Sequence, residues 1–122
     1  MKTKEVKELI SERITWWKAK MGLGYWNVRY DFQKGKPEQL EDGFQICARC
    51  GADWAHEDAL ITFYPKAMKN YSEDEIENTV VHELLHIFVN EMRQKGLDHE
   101  ERVVTELAKA FIWVRDGAIV NA

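Results

Sequence analysis

Long apolar runs are missing from this sequence of 122 residues. No run approaches the roughly 20 residues that a membrane-spanning helix requires, so we expect no membrane span. A surplus of positive charge is missing too. The formal net charge is −4, which gives no electrostatic reason to expect binding to nucleic acid or to an anionic membrane. The chain begins Met-Lys-Thr-Lys-Glu, without the apolar core of a secretory signal, and we therefore expect a cytoplasmic protein.

Cysteine is scarce, with only Cys47 and Cys50 in the chain, and in the cytoplasm both are expected to be reduced. Their Cys-x-x-Cys spacing resembles half of a zinc knuckle, but a tetrahedral site needs two more ligands, and no second such pair exists. His56 would supply only a third ligand. In a regular strand the two thiols would also point to opposite faces. We interpret them as reduced thiols in a hairpin, with a metal knuckle or a redox pair as the alternatives.

Core-forming residues, in contrast, are plentiful. Hydrophobic residues make up 45% of the chain and include five tryptophans, so the composition favours a folded domain over a disordered segment. The length suits a single domain over residues 1–122. No repeat or low-complexity segment divides it.

The first half of the chain has the patterns of one helix and three strands. Apolar residues recur at helical spacing over residues 4–21, and Gly22 and Gly24 follow as the end of that helix. Alternating or β-rich segments predict three strands. These cover residues 25–32, 44–50 and 59–64, with a polar connection at 33–43 and a turn at 51–58. Pro65 closes the third strand, because proline cannot donate a hydrogen bond to a strand ladder.

The second half is helical. Ser72 is followed three residues later by Glu75, the capping-box signature, and the helix that starts there stops before Gly96. A last helix opens near Asp98. Its expected inward face consists of Val104, Leu107, Ala108 and Phe111, with Val114 as a further candidate. The element order predicts an α+β domain with an N-terminal helix, a three-stranded, mainly antiparallel sheet and two later helices.

The first of these later helices contains His82-Glu83-Leu84-Leu85-His86. Four-residue spacing places both imidazoles on one face of a helix, about one turn apart, where they can hold one metal ion. Glu83 would lie beside that ion. In this His-Glu-x-x-His pattern zinc lowers the pKa of a water molecule and the glutamate is the general base. A chance match is the alternative, but apolar flanks predict a buried helix, in which each polar group requires a partner. We therefore favour a zinc site.

Two histidines leave a catalytic zinc one protein ligand short, because such sites usually have three. The candidates are His99, Glu100 and Glu101. Both glutamates lie near the expected core face of the last helix, whereas His99 points away from it. Glu101 could instead cap that helix together with Asp98, or interact with its dipole. It reaches the metal only if the first helix ends early or the two helices cross at an angle, because a straight helix to Lys95 would extend about 13 Å past His86.

Three segments together resemble the zincin-like metallopeptidases: the pentapeptide, Ala59-Leu60-Ile61-Thr62-Phe63 ahead of it and Glu101-Arg102-Val103-Val104 behind it. The likeness is to the small zincin-like proteins of phages and prophages and, more distantly, to the glutamate-ligand peptidases typified by thermolysin. It implies a minimal zincin-like domain. It also implies zinc ligation by His82, His86 and Glu101, since the acidic ligand usually stands two residues before a Val-Val pair, and Glu83 as the catalytic base. No His-x-x-Gly-x-x-His continuation follows His86, which excludes the astacin-like class.

Two functions follow as hypotheses. The preferred one is a zinc-dependent peptidase that acts on a peptide or protein, which would add as a strand to an edge strand at residues 59–64. The alternative is a non-catalytic zincin-fold module with a structural or lost metal, which binds a protein partner. A peptidase also needs a donor for the oxyanion, and nothing in the sequence chooses among its candidates. These are Tyr64, Tyr71, His56 and His99. Trp54 could line a cleft or pack against the sheet.

Overall fold

Three helices and a three-stranded sheet make up the computed structural model, which describes residues 1–35, 47–93 and 100–121. In chain order they are α1 (Thr3–Lys20), β1 (Asn27–Phe32), β2 (Ala48–Asp53), β3 (Asp58–Phe63), α2 (Glu73–Arg93) and α3 (Glu100–Asn121), with a short 3₁₀ helix at Pro65–Met68 before α2. This arrangement confirms the predicted α+β class and the predicted order of elements. No helix within the described ranges is long and apolar enough to cross a membrane.

The first helix agrees closely with its predicted span. Val6, Ile10, Ile14 and Trp17 form its buried stripe, and this stripe packs against α2. Gly22 follows the helix with a φ of +74°, a conformation that glycine adopts without the steric penalty of a side chain. The amide of Leu23 then donates back to the Lys18 carbonyl over 3.0 Å.

The sheet has the strand order β1-β3-β2, which corrects two expectations. β3 pairs with β2 in antiparallel register but with β1 in parallel register, so the sheet is mixed rather than mainly antiparallel. β3 is also the central strand, so residues 59–64 are not an edge as predicted. Its apolar sequence suits this place, because Ala59, Ile61 and Phe63 are all buried and both edges of the strand are paired.

The hairpin between β2 and β3 is tighter than predicted. β2 continues through Asp53, which pairs with Asp58, so residues 51–53 are strand and only residues 54–57 make the turn. Glu57 takes a positive φ of 48° there, which allows the shorter connection. The predicted start of this strand, at residues 44–46, lies outside the described residues.

The second helix begins as its capping box predicts. The Glu75 amide donates to the Ser72 hydroxyl over 3.2 Å, and the Ser72 amide donates to the Glu75 carboxylate over 3.1 Å. From there α2 packs against α1, β2 and α3. It is therefore the central element of the fold. Six of its apolar residues are almost completely inaccessible to water: Ile76, Val80, Val81, Leu84, Leu85 and Ile87. Phe88 of the same helix, in contrast, is 39% exposed.

The third helix turns a different face inward from the one predicted. Val104 and Ala108 are fully buried as expected, but Leu107, Phe111 and Val114 are 36%, 38% and 63% exposed. The buried row instead continues through the partly buried Ile112. Spacing of four residues, from 104 to 108 to 112, follows the contact of α3 with α2. The adjacent row at 107, 111 and 114 lies at the edge of this contact, where Phe111 meets Trp17 of α1 edge-to-face.

A charged cluster joins the three helices. The buried Glu77 of α2 accepts a hydrogen bond from the Arg115 guanidinium of α3, and its other oxygen lies 2.8 Å from Arg13 Nε of α1. The Arg13 contact is an ion pair without hydrogen-bond alignment. Two guanidinium groups therefore share one buried carboxylate, which nothing in the local sequence pattern indicates.

Replacing Glu77 with alanine should destabilise the protein, because Arg13 and Arg115 would lose their shared counter-charge. Breaking a buried pair costs roughly 3–5 kcal/mol, and we expect the lower end since both arginines keep partial access to water. Chemical denaturation measures the change. Glu12→Ala is the control, because Glu12 pairs with Arg13 at the exposed surface. This substitution should lower the free energy of unfolding by less than about 1 kcal/mol. Equal losses of stability in the two variants would contradict the role of Glu77 as the shared counter-charge of Arg13 and Arg115.

Candidate metal centre

The two histidines of the pentapeptide lie on the face of α2 that meets α3. Their ring centroids are 5.0 Å apart, as four-residue spacing on a helix requires. His86 is buried, at 5% exposure, and the His82 side chain is 20% exposed. A pair of imidazoles in this position is open to a ligand from the neighbouring helix.

Glu101, in the first turn of α3, lies where such a ligand would be. Each of its two carboxylate oxygens contacts a different histidine. Oε2 lies 3.0 Å from His82 Nε2, and Oε1 lies 2.7 Å from His86 Nε2. Ligand atoms of the three residues all lie within 4.8 Å of one another. A single ion with bonds of about 2 Å fits such a group, so His82, His86 and Glu101 form a group that could hold a metal ion.

Glu100, another candidate for the third ligand, is placed differently. Glu100 contacts the opposite nitrogen of His86, with Oε1 2.8 Å from Nδ1. Consecutive residues of a helix point about 100° apart, which allows the two glutamates to approach one imidazole from its two ends. His99 lies outside the described residues, as does Asp98, the proposed capping partner of Glu101. Sequence reasoning missed the Glu100 contact, because it depends on how α3 is rotated against α2.

Glu83 lies one residue from His82 and is itself buried, at 6% exposure. Burial disfavours the carboxylate and raises its pKa to about 7. The nearby His86 and His82 oppose this shift, while Glu101 adds to it. A carboxyl group that titrates near neutral pH can both accept and release a proton there.

The contacts between the histidines and the glutamates also shift the pKa values of His86 and Glu101. Burial alone would lower the pKa of His86, but hydrogen bonds to Glu101 and Glu100 outweigh it and raise that pKa to about 9. Hydrogen bonds from His82 and then His86 hold the pKa of Glu101 well below its usual range. Without a metal the cluster is thus an ion pair of imidazolium and carboxylate.

A half-buried thiol lies close enough to Glu83 to be influenced by its charge. Cys47 hydrogen-bonds with Tyr71 and Thr79, and burial raises its pKa, with a contribution from the Glu83 charge. Burial, followed by the Cys47 contact, raises the pKa of Tyr71 to about 12. Among the oxyanion candidates within the described ranges, Tyr71 is therefore electrostatically linked to this region through Cys47.

Of the other oxyanion candidates, His56 and Tyr64 lie within the described residues. His56 is in the β2–β3 turn, where Nδ1 lies 2.8 Å from Asp53 Oδ2, and Tyr64 directly precedes the 3₁₀ helix. Trp54 packs edge-to-face on Trp26 and donates its indole N–H to the Ile87 carbonyl over 2.7 Å. It therefore fastens the hairpin to α2.

The two cysteines lie at the start of the hairpin, where Cys47 directly precedes β2 and Cys50 lies within it. Neither Cys47 nor Cys50 forms a disulfide. Over residues 1–35, 47–93 and 100–121, neither of them nor His56 belongs to a group that could hold a metal ion.

Comparison with known proteins adds no relative. No family model, no curated protein and no solved structure matches the chain. The resemblance to zincin-like proteins therefore stays a prediction from the sequence, and any function has to be argued from the geometry of the site.

The stability of the protein without metal should fall as the pH rises. The folded-state pKa of His86, about 9, exceeds its ordinary value of 6.5, so its contribution is complete below pH 6.5 and lost through pH 9. Glu83 acts in the same direction between its ordinary 4.5 and about 7. We expect the free energy of unfolding of chelator-treated protein to decrease between about pH 6 and 9.5.

His86→Gln is the matched variant for this measurement. It should flatten the part of the decrease above about pH 7 and leave the part that belongs to Glu83. A free energy of unfolding that stays constant or rises across the range would show that the histidine is not held by the two carboxylates.

Proposed function

We propose that this protein is a zinc-dependent peptidase, with zinc held by His82, His86 and Glu101 and with Glu83 as the general base. One observation carries the proposal. A carboxylate from a separate helix lies within 3.0 Å of the Nε2 atom of each histidine in the pentapeptide, and Glu83 lies buried beside them.

The chemistry of the donor atoms supports zinc over calcium and magnesium. Two imidazole nitrogens and one carboxylate oxygen are a ligand set of catalytic zinc sites, whereas calcium and magnesium prefer oxygen ligands throughout. Among the described residues the group has three members, which leaves a coordination position for water or substrate. The Glu101 side chain is 68% exposed, so this side of the site is open to solvent.

The mechanism that fits these residues is hydrolysis by an activated water. Zinc, when bound, lowers the pKa of a coordinated water and polarises the substrate carbonyl. Glu83 takes a proton from the attacking water onto its carboxylate. It then gives that proton to the departing amine, and burial of Glu83, which favours the neutral carboxyl group, assists uptake of the proton. Burial keeps the carboxyl group away from competing solvent contacts.

The proposed substrate is a peptide or protein. The observed strand order means that it would bind to a different strand from the one expected from the sequence. β3 is paired on both edges, so an extended peptide that adds to the sheet has to pair with β1 or β2. Of these, β2 packs against α2, the helix that carries the histidines. The thiols of Cys47 and Cys50 suit the cytoplasm, which we keep as the proposed location.

A second function has one observation in its favour. α3 exposes large apolar side chains, with Trp113 at 78% and Val114 at 63%. Exposed apolar residues in one area are typical of protein-binding surfaces, as expected for a non-catalytic module. The two functions differ in whether Glu83 matters for hydrolysis.

Removing the third ligand should weaken zinc binding. We expect about one zinc per chain in the wild type, and much weaker zinc binding in Glu101→Ala because one of three protein ligands is lost. Competition with a chromogenic chelator measures the affinity. Cys47→Ser is the control and should keep wild-type affinity. Loss of zinc in Cys47→Ser, with affinity unchanged in Glu101→Ala, would place the metal at the cysteines.

Replacing Glu83 with glutamine should separate hydrolysis from metal binding. The amide keeps the shape of the side chain but cannot accept the proton, so peptide hydrolysis should fall by roughly 10²- to 10⁴-fold. Zinc content and melting temperature should stay near wild type. Cleavage of a peptide mixture, followed by mass spectrometry, provides the assay. Full activity in Glu83→Gln would rule out its role as the base, and no activity in the zinc-loaded wild type would favour the binding module.

A further inference from the structure

His86 is held at both of its ring nitrogens by two consecutive residues of α3. Nε2 faces Glu101 at 2.7 Å, and Nδ1 faces Glu100 at 2.8 Å. The two glutamates differ in environment, since the Glu100 side chain is only 9% exposed and that of Glu101 is 68% exposed. The buried carboxylate has little freedom to move, whereas the exposed one can adjust its position.

We propose that Glu100 is a positioning residue, which accepts the Nδ1 proton of His86 in a hydrogen bond and so presents the Nε2 lone pair to the metal. The proposal rests on the proposed metal site and adds a division of labour to it. Glu101 is a ligand, and Glu100 fixes the tautomer and the ring orientation of another ligand. The sequence pattern does not assign this positioning role to Glu100.

The tautomer is the reason that this contact matters. A neutral imidazole carries one proton, and only the other nitrogen can bind a metal. A carboxylate at Nδ1 keeps the proton there, which leaves Nε2 as the donor atom and makes it more basic. His86 Nε2 is the atom that faces Glu101, while Nδ1 is turned away from it, so the observed contact selects the nitrogen on the correct side.

Two other roles for Glu100 make different predictions. As a third ligand it would have to reach the Nε2 side of His86, but its carboxylate oxygen lies at Nδ1. As an acidic residue in the first turn of α3 it would act on the helix dipole, where any nearby negative charge serves. The hydrogen bond to His86 requires a side chain of the correct length, whereas the interaction with the helix dipole requires only a negative charge.

Two substitutions separate length from charge. Glu100→Gln keeps the reach to Nδ1 and a carbonyl oxygen that accepts its proton, but loses the charge. Glu100→Asp keeps the charge at the helix start but is one methylene shorter. Glu100→Ala loses both. Glu106→Ala is the control, because Glu106 lies in the same helix and pairs with Lys109 at the surface.

Zinc affinity, measured by competition with a chelator, is the first readout. Loss of a group that orients a metal-binding histidine typically costs 10- to 100-fold in affinity. We expect a loss in roughly this range for Glu100→Ala and Glu100→Asp, substantial recovery in Glu100→Gln, and no change in Glu106→Ala.

The Nδ1-bound proton of His86 in the zinc-loaded protein is the second readout. NMR should detect this proton in the wild type and in Glu100→Gln, where it is protected from exchange with water. It should disappear in Glu100→Ala and Glu100→Asp.

The opposite pattern would overturn the proposal. Affinity kept in Glu100→Asp but lost in Glu100→Gln would show that Glu100 acts through its charge. A loss in Glu100→Gln as severe as that in Glu101→Ala would make it a ligand. If Glu100→Ala does not fold, the other two variants still decide between these outcomes. A wild type that binds no zinc refutes the proposed function itself, whereas zinc binding unchanged in all Glu100 variants refutes only this inference.

Discussion

Burial of α2 is the constraint on which the rest of the structure depends. This helix packs against α1, β2 and α3, so a charged group on its inner faces cannot rely on water. Within the described ranges, the buried charged or titratable side chains are Glu77, Glu83 and His86, and all three belong to α2. Charged groups in such a place need partners, or else they become neutral.

Each of these three side chains meets that requirement differently. Glu77 is paired with arginines from both flanking helices. His86 is enclosed by two carboxylates of α3. Glu83 has its pKa raised to about 7, so near neutral pH it is close to the point of losing its charge. The first solution holds the helices together. The other two place a group that could hold a metal ion and a carboxyl group of raised pKa in the same part of the helix.

Much of the fold could be predicted from local patterns. The capping box of Ser72 and Glu75 started α2 at the predicted place, because a cap involves only neighbouring residues. Strand pairing could not be predicted in this way. The parallel contact of β1 with β3 depends on the path of the intervening chain, and alternation along a strand does not carry that information. The inward face of α3 was wrong at Leu107 and Phe111 for a similar reason, since a row of apolar residues does not reveal how much of it a neighbour covers.

The site shows the same division between local and long-range information. Spacing alone predicted that His82 and His86 share a face. It did not choose among the acidic residues that follow. The choice of Glu101 came from the resemblance to zincin-like proteins, and the structure independently places it against both histidines. The contact of Glu100 with His86 has no sequence signal, because it depends on how two packed helices are rotated.

X-ray absorption spectroscopy at the zinc edge of the purified, zinc-loaded protein tests the central claim most directly. The account predicts a first shell of nitrogen and oxygen atoms at about 2.0–2.2 Å, with the multiple-scattering pattern of two imidazoles. In a variant that lacks both His82 and His86 this pattern should be absent. Sulfur at about 2.3 Å, or an imidazole pattern unchanged in that variant, would contradict the assignment of the metal to α2 and α3.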